Sequence, residues 1–127
     1  PRAGGGVGGN ATATTTALHD LGVDHRDDLD ESAALIAALD AVVTPLVSTL
    51  DLAGGLGVTT FAFAPSRFDH HAMGLPREAG GWSAHPWHGP SVRVFAQEPP
   101  FSGGWGLPMG RVARALVALQ LRQGDDE

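Results

Sequence analysis

Apolar positions in the first half of the chain recur at helical steps. Leu35, Ile36, Leu39, Val42, Val43, Leu46 and Leu50 follow one another at three- and four-residue intervals, the spacing of one helix face. They predict a helix from about Asp30 to Ala53. Asp28 and Glu31 stand at capping-box spacing before it, with Asp30 as an alternative N-cap. Pro45 lies inside the pattern and is expected to kink or divide the helix at Thr44. Gly54 and Gly55 end it.

The period then changes. Val58-Thr59-Thr60-Phe61-Ala62-Phe63-Ala64 reads as a strand closed by Pro65, with Phe61 and Phe63 sharing a face. Ser91-Val92-Arg93-Val94-Phe95-Ala96-Gln97 reads as another, with Val92 and Val94 on one face and Glu98-Pro99-Pro100 as its stop. A closing helix runs from Pro108, which suits a first turn, to about Arg122, and buries Val112, Leu116 and Leu119. Ala11 to Leu18 is threonine-rich and reads as a further strand. Residues 1–10 read as a flexible glycine-rich leader. The GxGxxG spelling of Gly4, Gly6 and Gly9 arises from glycine density, because no strand precedes it.

Between the two clear strands, from Ser66 to Pro90, no period is visible. Loops of that length inside a compact domain are uncommon and are usually functional or disordered; Trp82 and Trp87 favour order. The resulting expectation is an α+β fold. A small single-layer sheet of about three strands is packed by two main helices, with a long irregular His/Trp/Gly-rich loop, in one domain over residues 11–127. A parallel crossover through the loop is the less favoured topology, since the loop carries no helix signal. The chain begins with Pro1, which suggests a fragment or subunit of a larger protein.

Composition narrows the chemistry. The chain has 127 residues, 43% of them hydrophobic, with a formal net charge of -6. An acidic balance argues against a nucleic-acid partner, which requires a basic field. No apolar run reaches the length of a membrane span, and a cytoplasmic location is the default expectation. Cysteine is absent, which excludes disulfides, thiolate metal sites and cysteine nucleophiles. Every basic side chain is arginine, which excludes Schiff-base chemistry and a P-loop lysine. With the abundant alanine and glycine, this usage suggests a GC-rich, bacterial-like coding bias.

The irregular loop holds the candidate chemistry. Four of the 6 histidines fall there: His70, His71, His85 and His88. Imidazole is the commonest metal ligand, and the i,i+3 spacing of His85 and His88 suits one side of a helical turn. These four are the candidate ligands for a divalent metal such as zinc, whose bound water would attack an electrophile. Asp69 and His71 are the candidate acid–base pair. Arg67 and Arg77 would hold an anionic substrate group, and Trp82 and Trp87, with Trp105, would present flat rings to a sugar, a heterocycle or a proline-rich peptide. The competing interpretation makes the histidines loop residues bonded to backbone, and the tryptophans seals of the loop on the sheet. Arg111, Arg114 and Arg122 share one side of the last helix. They read as a solvated face, or as a basic stripe for an acidic partner such as Asp24 to Glu31 of a second copy.

Two functions follow. Base rates favour a non-catalytic interaction or accessory domain that docks a protein partner or a second copy through its Trp/His-rich loop. The alternative is a metal-dependent hydrolase working from residues 69–88.

Overall fold

The computed structural model describes residues 17–65, 76–98 and 104–126. The expected leader and nearly all of the threonine-rich segment lie outside them. Seven elements follow in order: α1 (Leu29–Ala37), β1 (Val42–Pro45), α2 (Ser48–Gly55), β2 (Thr60–Ala64), β3 (Ser83–His85), β4 (Gly89–Ala96) and α3 (Gly106–Asp125). The class is α+β. The four strands form one sheet in the order β1-β2-β4-β3.

α1 starts where capping chemistry places it. The Asp28 carboxylate accepts from Glu31 N at 2.8 Å, satisfying one of the helix's orphan donors. Upstream, Asp24 Oδ1 accepts from Arg26 N at 3.0 Å and Asp27 N at 3.2 Å, and this Asx-type turn sets the approach to the cap. The Ser32 hydroxyl donates to Asp28 O at 2.9 Å. That uses its only proton, so His25 Nδ1, 3.0 Å away, is the donor in their contact.

The single helix expected over Asp30 to Ala53 is instead helix, strand and helix. α1 ends at Ala37, and Val42 to Pro45 lie extended and parallel to β2, with Val42 opposite Thr60 and Pro45 opposite Phe63. The β-branched run Val42-Val43-Thr44 fits a pleated surface better than a helix. Pro45 also pushes the residue before it out of the helical region. The same apolar spacing serves both arrangements, because α1, β1 and α2 all turn toward one core.

β1, α2 and β2 form a parallel unit with a helical crossover. β2 then pairs parallel with β4, Thr60 opposite Val92 and Ala64 opposite Ala96. The topology that the sequence ranked second is therefore the one adopted. Parallel pairing needs a long connection. Residues 65–88 supply it, and part of that connection is β3, which pairs antiparallel with β4. The loop expected to lack structure thus contributes an edge strand, and the sheet has four strands where about three were expected.

Side-chain size on β2 sorts the two faces. Neighbouring strand residues point to opposite sides. Ala62 and Ala64 face α2 and pack with Leu50, Val92 and Val94, where the small side chains let the helix approach closely. Phe61 faces the other way, against Phe95 and Val112 of α3. Its ring meets Phe95 edge-on at 6.1 Å, a favoured aromatic geometry. Ile36, Val42 and Ala53 join α1 to the first face. The helices therefore lie α1 and α2 on one side, α3 on the other. No helix among the described residues is long and apolar enough to cross a membrane.

Candidate functional site

The antiparallel pairing of β3 with β4 carries the chain from the carboxyl end of the parallel strands to their amino end. Ser83 lies opposite Val94, and His85 opposite Gly89, with an irregularity between Ala84 and His85. His85 and His88 therefore sit in the tight β3–β4 turn at the amino end of β4. Gly89, with φ +62°, completes that turn, a conformation that suits glycine.

His85 is 1% exposed. Its Nδ1 faces Trp87 N and His88 N, each at 3.3 Å. A ring nitrogen that accepts from backbone N–H carries no proton, so the neutral imidazole bears its proton on Nε2. The side chain thereby fixes the two residues that follow Pro86. His88 stacks on it with ring centroids 4.8 Å apart and planes at 26°. His88 reaches α2, where its Nε2 lies 3.0 Å from Asp51 Oδ1, and its ring fills the space beside Gly54. A Cβ at Gly54 would fall 2.4 Å from His88 Cγ. Ser91 Oγ donates to His88 O at 2.9 Å. Trp87 on this pinned turn is 69% exposed, with its ring edge-on to that of His85 at 5.6 Å and the exposed Pro86 beside it.

Of the histidines expected to act together, the structure brings His85 and His88 into contact, but their nitrogens are engaged separately, one with backbone and the other with Asp51. Arg67, Asp69, His70 and His71 lie outside the described residues. Among the described residues, no group of three or more His, Asp or Glu side chains is placed to hold a metal ion. An apolar groove of about 720 Å³ opens between α1 and α2 and is bordered by Leu29, Leu35, Leu39 and Asp51. Asp51 is thus shared by the groove and the histidine turn.

Trp82 and Arg77 lie elsewhere. Trp82 is half-buried and packs against the α3-side core, with the Arg93 guanidinium 4.7 Å from its ring centroid. Trp105 lies edge-on to Phe63 at 5.5 Å. Arg77 pairs with Glu98 at the carboxyl end of β4, and Arg111 donates to the same carboxylate oxygen at 2.8 Å. Arg111 is thereby withdrawn from the solvated stripe expected on the last helix. Its guanidinium lies against Gly81, where a Cβ would meet Cζ at 2.5 Å.

Asp51, Glu98 and Arg93 had not been singled out from the sequence. Asp51 reads as an ordinary helix carboxylate until its partner, 37 residues away, is known. Arg93 left a signal: it is a charge at a position whose neighbours Val92, Val94 and Phe95 are all buried.

Protein FlbA of Caulobacter vibrioides (strain ATCC 19089 / CIP 103742 / CB 15) is 37% identical to this chain over 100 residues, which cover 75% of the chain and 14% of that protein. The chain thus spans a small part of the length of the curated relative it matches. No family model matches it, and no solved structure does.

Proposed function

We propose that the chain is a non-catalytic interaction module of a longer protein, and that it docks a protein partner through Trp87 on the β3–β4 turn. The observation that carries this reading is a large aromatic side chain, 69% exposed, held on a backbone fixed by the buried His85. Binding hot spots are enriched in tryptophan, and a rigid turn loses little conformational freedom when a partner closes over it. The histidines then serve as supports: His85 shapes the turn, and His88 ties it to α2. The groove beside Asp51 extends the same surface with leucine side chains. The match to a small part of a much longer relative accords with a module acting within a larger assembly.

A photo-crosslinking aromatic residue placed at Trp87, with a second at Val117 on α3 as control, tests the reading in the longer protein that contains this sequence. A crosslink from position 87 to one defined protein segment, absent from position 117, is expected. Trp87→Ala should abolish retention of that segment without changing the fold. No position-specific crosslink, or retention unaffected by Trp87→Ala, would refute it.

A further inference from the structure

The side of the sheet covered by α3 carries an unusual concentration of positive charge for a protein of net charge -6. Arg93 projects from β4 toward α3, while Arg111 and Arg114 project from the helix. Together with Trp82 they line a pocket of about 280 Å³. The Arg93 guanidinium is flanked by two rings, 4.7 Å from the Trp82 centroid and 5.9 Å from that of Phe61. Its Nε is buried with no hydrogen-bond partner among the described residues. Arg114 makes no ion pair among the described residues, where Arg77, His88 and Arg111 account for those present. A buried guanidinium donor lacking an acceptor is costly, and it stays when stacking compensates or when a ligand supplies the acceptor.

The pocket is also built. Gly80 and Gly81 have φ of +97° and +77°, and only this Cβ-free turn lets the Arg111 guanidinium rest against Gly81. Glu98 anchors Arg111 through one nitrogen, Nη1. A guanidinium has five N–H donors, so the others remain for a further acceptor. Three cations thus converge from a strand and a helix, with one carboxylate bound to the part-buried Arg111.

We propose that this pocket binds a phosphoryl dianion, either free phosphate or the head of a small phosphate monoester. A monoester carries a charge of roughly −1.5 to −2 and three terminal oxygens, which match the forked donors of several arginines. A single carboxylate has two oxygens and one charge, and would leave most of these donors unused. Volume limits the rest of the ligand. At about 280 Å³ the pocket lies just below the ~300–1,000 Å³ of drug-sized ligand sites, so it suits a compact phosphate and not a dinucleotide. Trp82 offers a flat wall for the carbon portion. The site is separate from the Trp87 turn and does not depend on it.

Calorimetric titration of the chain with glycerol phosphate and with inorganic phosphate, at constant ionic strength, tests the proposal. Saturable 1:1 binding of either is expected, the tighter one identifying the source. Arg114→Gln should weaken it about tenfold or more, the loss of a charge-assisted hydrogen bond. Arg114→Lys, which keeps the charge without the fork, should fall between. Arg122→Gln, on the same helix but outside the pocket, should change affinity less than about twofold, since a distant exposed charge is largely screened. Arg114 is exposed, so these variants keep the fold. Non-saturating heats, or equal weakening by Arg114→Gln and Arg122→Gln, would show diffuse attraction and overturn the proposal.

Discussion

The His88 ring occupies the space that a side chain at Gly54 would need. Gly54 lies in α2 and His88 in the β3–β4 turn, and a Cβ on the glycine would fall 2.4 Å from Cγ of the imidazole. The absence of one methyl group on a helix thus determines whether the histidine turn can dock.

That contact reverses the usual sign of a helix substitution. Glycine to alanine in a helix ordinarily stabilises by up to about 1 kcal/mol. Gly54→Ala is expected instead to destabilise by about 1–3 kcal/mol, the typical range for overpacking, because the ring can move only by giving up Asp51. In a His88→Ala background the same change should become stabilising by about 0.5–1 kcal/mol. Urea denaturation of the two single variants and the double variant reads both signs. A destabilising Gly54→Ala in both backgrounds would show that the histidine is not the obstacle.

Removing His85 separates a supporting histidine from a metal ligand. His85→Ala deletes a buried side chain and leaves Trp87 N and His88 N without their acceptor. A loss of roughly 2–4 kcal/mol is expected, equal in chelator-treated and zinc-supplemented protein. A loss confined to the zinc-supplemented sample would instead assign His85 to a metal.

Gly81 faces two constraints. An alanine there must adopt φ near +77° and also collide with Arg111. The backbone strain alone is about 1–3 kcal/mol, so Gly81→Ala should lower stability by at least that much. Adding Arg111→Gln should recover only the part due to the collision. Thermal unfolding of the single and double variants measures the split. Full recovery in the double variant would mean that the backbone strain is negligible.

Asp28 isolates the helix cap. Its carboxylate holds Glu31 N at 2.8 Å on an exposed surface, so Asp28→Ala should cost about 1 kcal/mol and Asp28→Asn much less. Chemical denaturation distinguishes them, and equal losses would assign the effect to charge and not to the hydrogen bond.

The fold class and most of its elements were readable because periodicity and caps are local. β2, β4 and the last helix lie close to where alternation and helical spacing placed them, and Asp28 caps α1 as its spacing implied. The segment from Leu39 to Leu50 misled, because apolar residues at three- and four-residue steps serve a continuous helix or a helix–strand–helix turned toward one core equally well. The β-branched Val42-Val43-Thr44 before Pro45 was the local clue to the strand. Pairing direction was less legible, since whether β2 and β4 run parallel depends on where residues 65–88 travel.

The site was legible only as residue types. The sequence drew attention to His85 and His88, and the structure stacks them, yet the partners that define their roles are a pair of backbone amides and a carboxylate on α2. Arg93, Arg111 and Arg114 were harder still. A helix face with three arginines looks solvated until the strand it covers is known to carry a fourth guanidinium beneath two aromatic rings.

The outer rim of β1 has a consequence for association. Val42 N donates to Thr59 O at 2.9 Å, so Val42 and Thr44 address β2 while Val43 and Pro45 address the open side. Proline brings no donor there, and the Pro45 carbonyl already accepts from Val47 N at 2.9 Å and Thr44 Oγ1 at 3.0 Å. Among the described residues of this rim, a foreign strand would find only Val43 to pair with. The terminal proline therefore acts as a stopper against edge-to-edge aggregation at this rim, where neighbouring polypeptides must meet the molecule through side chains.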